Sequence, residues 1–207
     1  MKVGIFGGSF DPIHYGHIRL AQYVLENTDL DEIWLMVAPL NPLKPQGYVA
    51  SDEQRLEMAR LAVAEIPGIR VSDFEFSLPI PSYTYNTLLR LKETYPEIDF
   101  RLIIGGDNWA HFDSWRNPQE IIDEFGLIVY PRPGEDLSLQ SSVFSHKPSS
   151  CITILKDAPQ MPVSSTQLRS ALENQSDASP STFGLIHDSV HPQVMEYIEK
   201  NGIYLNR

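Results

Sequence analysis

The chain has 207 residues, 42% of them apolar, which suits one core-bearing globular domain over 1–207, with or without a small appendage. A formal charge of −11 argues against non-specific nucleic-acid binding, which needs basic patches facing many phosphates; a small anion could still be held by local cations or a helix amino terminus. The one cysteine, Cys151, excludes an internal disulfide and a multi-cysteine metal site, and no apolar run approaches the roughly 20 residues that span a bilayer. With a strand-like run starting at residue 2 and no basic leader before it, the expected location is the cytoplasm, away from membranes.

The run Lys2 to Phe6 suits a buried strand. It breaks at Gly7 and Gly8, passes through Ser9, Phe10, Asp11 and Pro12, and reaches His14-Tyr15-Gly16-His17. Ile18, Leu20, Ala21, Val24 and Leu25 then recur at helical spacing, predicting a helix over His17 to Asn27. A strand, a glycine turn and a helix start can seat a phosphate, because free backbone N–H groups face it, and imidazoles three positions apart share one side of the first turn. A dehydrogenase fingerprint does not fit, since Gly4, Gly7 and Gly8 have the wrong spacing, and no Gly-Lys-Ser or Gly-Lys-Thr supplies a P-loop.

Further strands are predicted at Glu32 to Ala38, Ile69 to Ser72, Phe100 to Gly105, Gly126 to Tyr130 and Ile152 to Leu155. Helices are predicted at Ser51 to Ile66, Thr84 to Tyr95, Asn117 to Phe125, Ser165 to Glu173 and His191 to Lys200, with loops at Ala38 to Val49, Pro131 to Ser150 and Asn174 to Thr182. The loop 131–150 reads as a lid or, in preference, a variable excursion. This alternation predicts an α/β fold, a doubly wound Rossmann-like parallel sheet with helices on both faces and a small C-terminal helical portion. Ligands then belong at the strand carboxyl ends.

After the fourth strand, Gly105-Gly106-Asp107-Asn108 leads into a helix-like stretch ending at Trp115-Arg116. A carboxylate there suits ribose hydroxyls, although aspartates also cap helices. Ser164, Ser165 and Thr166 make a hydroxyl-rich helix start, with Arg169 one turn later able to fork onto phosphate oxygens. Trp115 is the best candidate for stacking on an aromatic ligand; Trp34 reads as strand packing and Trp109 is undecided.

Gly8-Ser9-Phe10-Asp11-Pro12 followed by His-x-Gly-His resembles the signature of the nucleotidyltransferase α/β-phosphodiesterase superfamily. Gly105, Asp107, Phe112 and Trp115 resemble its GxDxxxxFxxW pattern, and Val163 to Arg169 resembles its ISSTxIR element. The segment Ser82 to Leu88 is similar to the S-Y-T-x-D-T-L element of the bacterial nicotinate mononucleotide adenylyltransferase branch, with Asn86 where that pattern has Asp; the pantetheine-phosphate branch lacks the element. Pro131 to Gly134 and the ending Gly202-Ile203-Tyr204 agree with that branch.

The resemblance implies an enzyme that joins ATP and nicotinate mononucleotide into deamido-NAD and pyrophosphate, by direct in-line attack with no covalent intermediate. It implies catalytic roles for His14, His17, Lys44 and Arg169. It implies ATP contacts from Gly7, Gly8, Ser9, Phe10, Gly16, Gly105, Asp107, Ser164, Ser165 and Thr166, and mononucleotide contacts from Asn41, Tyr83, Thr84, Trp115 and Arg116. Mg²⁺ would arrive on ATP, with no dedicated metal site in the chain. A cytidylyltransferase or pantetheine-phosphate enzyme would keep the histidines but take a different base or acceptor. A non-catalytic nucleotide sensor would be expected to lose a histidine or the arginine, and His14, His17 and Arg169 are all present. Composition leaves open whether the chain is a monomer or a homo-oligomer.

Overall fold

The inner strands are mostly apolar runs because a parallel sheet is covered on both faces, while the two edge strands are short and less buried. The structure, a computed structural model, describes residues 1–39, 50–132, 151–159, 163–173 and 180–205. Asn41, Lys44 and most of the polar loop 131–150 therefore lie outside the described residues.

Six strands, β1 (Lys2–Gly8), β2 (Glu32–Val37), β3 (Ile69–Ser72), β4 (Asp99–Gly105), β5 (Leu127–Tyr130) and β6 (Ile152–Ile154), form one sheet in the order β3-β2-β1-β4-β5-β6. Every neighbouring pair is parallel, with Phe6 of β1 opposite Leu35 of β2 and Ile103 of β4. The chain winds outward from β1 to β3, then returns to β4 on the other side of β1. The connections leaving the carboxyl ends of β1 and β4 thus diverge and open a crevice, the usual ligand position in this topology.

The described α-helices are α1 (Tyr15–Glu26), α2 (Asp52–Val63), α3 (Thr84–Thr94), α4 (Gly106–Trp109), α5 (Pro118–Glu124), α6 (Ser165–Glu173), α7 (Pro180–Ser189) and α8 (Pro192–Asn201). Residues of α1, α2, α6, α7 and α8 pack with Phe6, Leu35 and Ile103 in one core. Leu88 and Leu91 of α3, Trp109 of α4 and Ile121 and Ile122 of α5 pack with Val3, Ile5 and Met36 in the other. The faces alternate along β1 as the strand period requires.

The termini of α2 and α8 follow from local chemistry. Ser51 Oγ accepts the Gln54 N–H at 3.2 Å while Gln54 Oε1 accepts the Ser51 N–H at 2.9 Å, a capping box that starts α2. Gly202, at φ 60°, closes α8 in the left-handed region.

Two sequence expectations are corrected. The stretch after Gly105 is not one helix to Arg116: α4 ends at Trp109, and a 3₁₀ turn covers Phe112–Ser114. Trp109 and Phe112, 1% and 0% exposed, are pulled into the core there, with ring centroids 5.8 Å apart. The expected loop Asn174 to Thr182 gives way at Pro180 to α7, a helix the sequence reading did not assign. Pro180 occupies the first turn, where its missing N–H costs nothing, and Gly184 inside the helix weakens the local signal. Trp34, 7% exposed in β2, packs as expected. Among the described residues, no helix is long and apolar enough to cross a membrane.

Candidate active site

The turn between β1 and α1 has histidines where a helix start usually has a hydroxyl or carboxylate. His14 is the N-cap of α1, and its Nδ1 accepts the Gly16 N–H at 3.1 Å. His17 Nδ1 reaches back and accepts the His14 N–H at 3.3 Å, completing a reciprocal capping box. A ring nitrogen that accepts a hydrogen bond carries no proton, so each neutral imidazole holds its proton on Nε2 and offers one donor there. The rings lie against each other with centroids 3.8 Å apart at 37°.

Burial, and secondarily the charge of Arg132, lowers the pKa of His14 from 6.5 to about 4. Burial, then the charges of His14 and Arg132, holds His17 well below its ordinary value. Both rings are neutral at pH 7. Phe10, buried and at φ 48°, presents its ring edge-on to His17 at 5.1 Å.

The crevice between the ends of β1 and β4 holds a cavity of about 660 Å³. Gly7 and Gly8 at the end of β1, Ser9 after them, Gly105 at the end of β4, Asn108 in α4, Thr84 at the start of α3 and Trp115 all line it. The two glycines of β1 differ. A Cβ on Gly8 would stand 2.8 Å from Cζ of Phe10, so the fold itself requires glycine there. A Cβ on Gly7 would meet nothing within 4 Å, so the protein does not need that glycine for packing, and the space it leaves belongs to the cavity.

Asp107, the second residue of α4, is exposed beside the cavity and pairs with Arg132 at 3.6 Å. Arg132 also lies over the Tyr130 ring at 5.4 Å and donates to its hydroxyl at 3.3 Å. A cation thus stands near the neutral imidazoles. Glu75, in the 3₁₀ turn Phe74–Ser77, also lines the cavity and accepts the Thr87 hydroxyl at 2.8 Å. Burial raises its pKa.

The start of α6 closes over the histidine turn. Ser164 Oγ accepts the Gln167 N–H at 3.3 Å and caps the helix. The Ser165 hydroxyl donates to the Pro12 carbonyl at 3.0 Å. Arg169 Nη1 donates to the Asp11 carbonyl at 2.6 Å, and Nη2 donates to Thr166 Oγ1 at 3.2 Å. This hydroxyl-rich element and its arginine therefore clamp the turn that carries the histidines.

Of the expected site residues, the structure gathers Gly7, Gly8, Ser9, Thr84, Gly105 and Trp115 around the cavity. Gly16 is buried in the first turn of α1. Tyr83 and Arg116 are exposed outside the cavity lining, with the guanidinium 4.8 Å above the Tyr83 ring. Asn86 is also exposed and outside that lining, so the change from Asp removes no charge from its wall. Glu75, Thr87, Asn108, Tyr130 and Arg132 were missed as site residues. Arg132 had a readable signal, since it stands two residues beyond the end of β5, at the same sheet edge as the histidines.

A family profile described as cytidylyltransferase-like matches residues 5–171. A Bacteroides thetaiotaomicron protein named as a probable nicotinate-nucleotide adenylyltransferase is 44% identical over 200 residues, 97% of this chain and 92% of its own. A Flavobacterium psychrophilum protein of the same name is 37% identical over 204 residues, 99% of each chain. The chain belongs to the nicotinate-nucleotide adenylyltransferase family. The fold agrees: the solved structure of the Plasmodium falciparum nicotinic acid mononucleotide adenylyltransferase complexed with NaAD matches with a TM-score of 0.75 at 22% identity, over 98% of this chain and 97% of that one. In this member of the adenylyltransferase family, the matched residues span the imidazole turn, the cavity wall and most of α6.

The neutral imidazoles give a signed pH dependence. Between pH 6.5 and about 4 the unfolded chain takes up a proton at residue 14 that the folded chain refuses, so folding stability falls as pH is lowered through that window. His14→Asn keeps a capping acceptor and removes the titration. Between pH 7 and pH 4 the wild type should lose roughly 2–3 kcal/mol more than His14→Asn in urea unfolding. A stability difference that does not change with pH would remove the assignment of a buried neutral His14.

Proposed function

We propose that this chain transfers the adenylyl group of ATP to nicotinate mononucleotide, giving deamido-NAD and pyrophosphate. A phosphate oxygen of the mononucleotide attacks the α-phosphorus of ATP; that P–O bond forms as the bond from the α-phosphorus to the β-phosphate bridging oxygen breaks, and pyrophosphate leaves with the electron pair. The nucleophile is already an anion at neutral pH, so the protein needs to align two phosphates and spread the charge of the transition state. No residue has to act as a strong base.

The observation that carries this reading is that one crevice, at the carboxyl ends of β1 and β4, gathers the glycine turn and the Ser-Tyr-Thr helix start. The glycine turn Gly7 to Ser9, Thr84 at the start of α3 and the half-buried Trp115 all line it, and His17 of the imidazole pair lies behind Phe6 of its wall, ring centroids 6.4 Å apart. His14 and His17 would donate from Nε2 to phosphate oxygens in the transition state, as neutral groups. Arg169 would add charge from the clamped α6, and Lys44 would contribute a further cation to the triphosphate. Gly7, Gly8, Ser9, Phe10, Gly16 and Ser164 to Thr166 would shape the triphosphate side, while Gly105 and Asp107 would face adenosine. Trp115 would stack on the pyridine ring, with Thr84, Tyr83, Arg116 and Asn41 toward the mononucleotide.

Mg²⁺ would accompany ATP and help neutralise the phosphates. The ion would be bound mainly through phosphate oxygens and water. The acidic chain and its single free cysteine suit a cytoplasmic enzyme of small nucleotides.

Pyrophosphate release should be fast with ATP, Mg²⁺ and nicotinate mononucleotide, and much slower with nicotinamide mononucleotide or phosphopantetheine. Release only with phosphopantetheine would move the enzyme to another acceptor, and none with any of the three would overturn the reading. His17→Ala should lower turnover about 10²- to 10³-fold, or roughly 2.7–4 kcal/mol, in protein that remains folded by circular dichroism. Near-normal turnover with a lowered Tm would make His17 structural. Trp115→Ala should raise the KM for nicotinate mononucleotide more than that for ATP; equal changes would remove Trp115 from the acceptor end.

A further inference from the structure

Asp11 is completely buried and joins parts of the chain that are far apart in sequence. Its Oδ1 accepts the Tyr204 hydroxyl at 2.5 Å and the Ala50 N–H at 3.3 Å. Its main-chain oxygen takes Arg169 Nη1 at 2.6 Å, and the same nitrogen lies 3.7 Å from Oδ2. Three residues further on, His14 begins α1. The carboxylate thus touches the carboxyl-terminal turn and α6 at once, and shares its own loop with the imidazole pair.

The backbone on either side of these contacts is unusual. Phe10, just before Asp11, has φ 48°, and Tyr204 has φ 62°. Bulky residues rarely occupy the left-handed region, and where they do the surrounding structure must hold them. Both are buried, at 1% and 3% exposure, in the core that also contains α1 and α6. Gly202 ends α8 and Ile203 N–H returns to the Ile198 carbonyl at 3.0 Å, which delivers the Tyr204 ring to its slot. Burial and the neighbouring Asp11 carboxylate keep the Tyr204 hydroxyl protonated as a donor.

We propose that Tyr204 is a positioning residue for the phosphate end of the site: its hydroxyl, through the Asp11 carboxylate, fixes the turn that carries His14 and His17 and the guanidinium of Arg169. The proposal rests on the adenylyltransferase reading for its effect on rate, though its geometry does not. Removing the hydroxyl leaves a buried carboxylate short of a donor, and such a group relaxes toward other partners. The Arg169 guanidinium close to Oδ2 and the Ala50 N–H at Oδ1 are within reach, and Asp11 belongs to the loop that leads into His14, so the relaxation is passed to Arg169 and to that loop.

Tyr204→Phe keeps the ring and deletes the hydrogen bond. We expect kcat for pyrophosphate release to fall about tenfold, with the KM for nicotinate mononucleotide within about twofold of wild type, because the acceptor end does not touch this hub. In ¹⁵N spectra of the histidine side chains, the His14 and His17 signals should move relative to wild type. Val194→Ala, which thins the packing of α8 at a buried residue outside these contacts, should lower Tm while leaving kcat and those signals unchanged. Unmoved His14 and His17 signals in Tyr204→Phe overturn the proposal whatever the rate, and so does an unchanged kcat. Should the wild type itself release no pyrophosphate with nicotinate mononucleotide, the functional reading falls, and the imidazole signals alone decide the positioning role.

Discussion

Backbone amides at the start of α1 need acceptors, and the chain supplies them with the Nδ1 atoms of His14 and His17. A serine cap would satisfy an amide but reach no further, and an aspartate would place a negative charge where the proposed triphosphate lies. An imidazole accepts on one side of its ring and donates on the other, so the helix cap also sets the tautomer. Burial then keeps the pair neutral, which avoids two close positive charges where the ring centroids are 3.8 Å apart. Formal charge is supplied from outside the pair, by Arg132 and Arg169. The cap therefore fixes the donor geometry of the site before any ligand contributes.

That geometry holds only if the turn is supported from behind, and the topology provides the support late in the chain. The sheet order brings β1 beside β4, while α6 and the carboxyl-terminal turn return to the core face that contains Phe10 and Ile13. Ser165 and Arg169 then reach the carbonyls of Pro12 and Asp11. A structural clamp and a proposed phosphate contact are compatible in one arginine, because guanidinium has five N–H donors and these contacts use one on each Nη.

The sheet was legible because each strand is a run of apolar residues bounded by a charged or glycine-containing turn, and a strand covered on both faces permits little else. β3 matches its expected bounds, Ile69 to Ser72, and the other strands differ by at most two residues at either end. The glycine turn, the histidines and the Ser-Tyr-Thr segment were legible because their chemistry is local. α7 was not, since Pro180 and Gly184 interrupt the periodic signal and burial of Ile186 and Val190 outweighs propensity. The Asp11 hub was invisible for a different reason. Tyr204 lies 193 positions from Asp11, and Ser165 lies 153 from Pro12, so no window along the chain could relate them. Arg132 was readable as a cation two residues past a strand end, but its nearness to the imidazoles appears only when β5 is placed beside β4.

A chain of net charge −11 can still offer a favourable surface to a polyanion, because the sum does not describe the local field. Exposed charges beyond about 8–10 Å are largely screened at physiological ionic strength, so acids on distant helices contribute little at the crevice. Near the crevice three arginines stand beside acids of their own, Asp107 at Arg132, Asp11 at Arg169 and Asp52 at Arg55, and Glu75 lines the cavity. Arg132 stands at the carboxyl edge of β5, Arg169 is half-buried against the loop after β1, and Arg55, fully buried, donates to the Ser9 carbonyl at 2.6 Å. The amino terminus of α1 points its partial positive charge at the same loop, and Thr84 at the start of α3 lines the cavity. Screening weakens exposed charges more than buried ones, so buried and half-buried arginines keep more of their influence in salt than the surface acids do. The net charge therefore does not decide against an anionic ligand: distant acids are screened, while arginines and a helix amino terminus stand beside the loop where the proposed phosphates would lie.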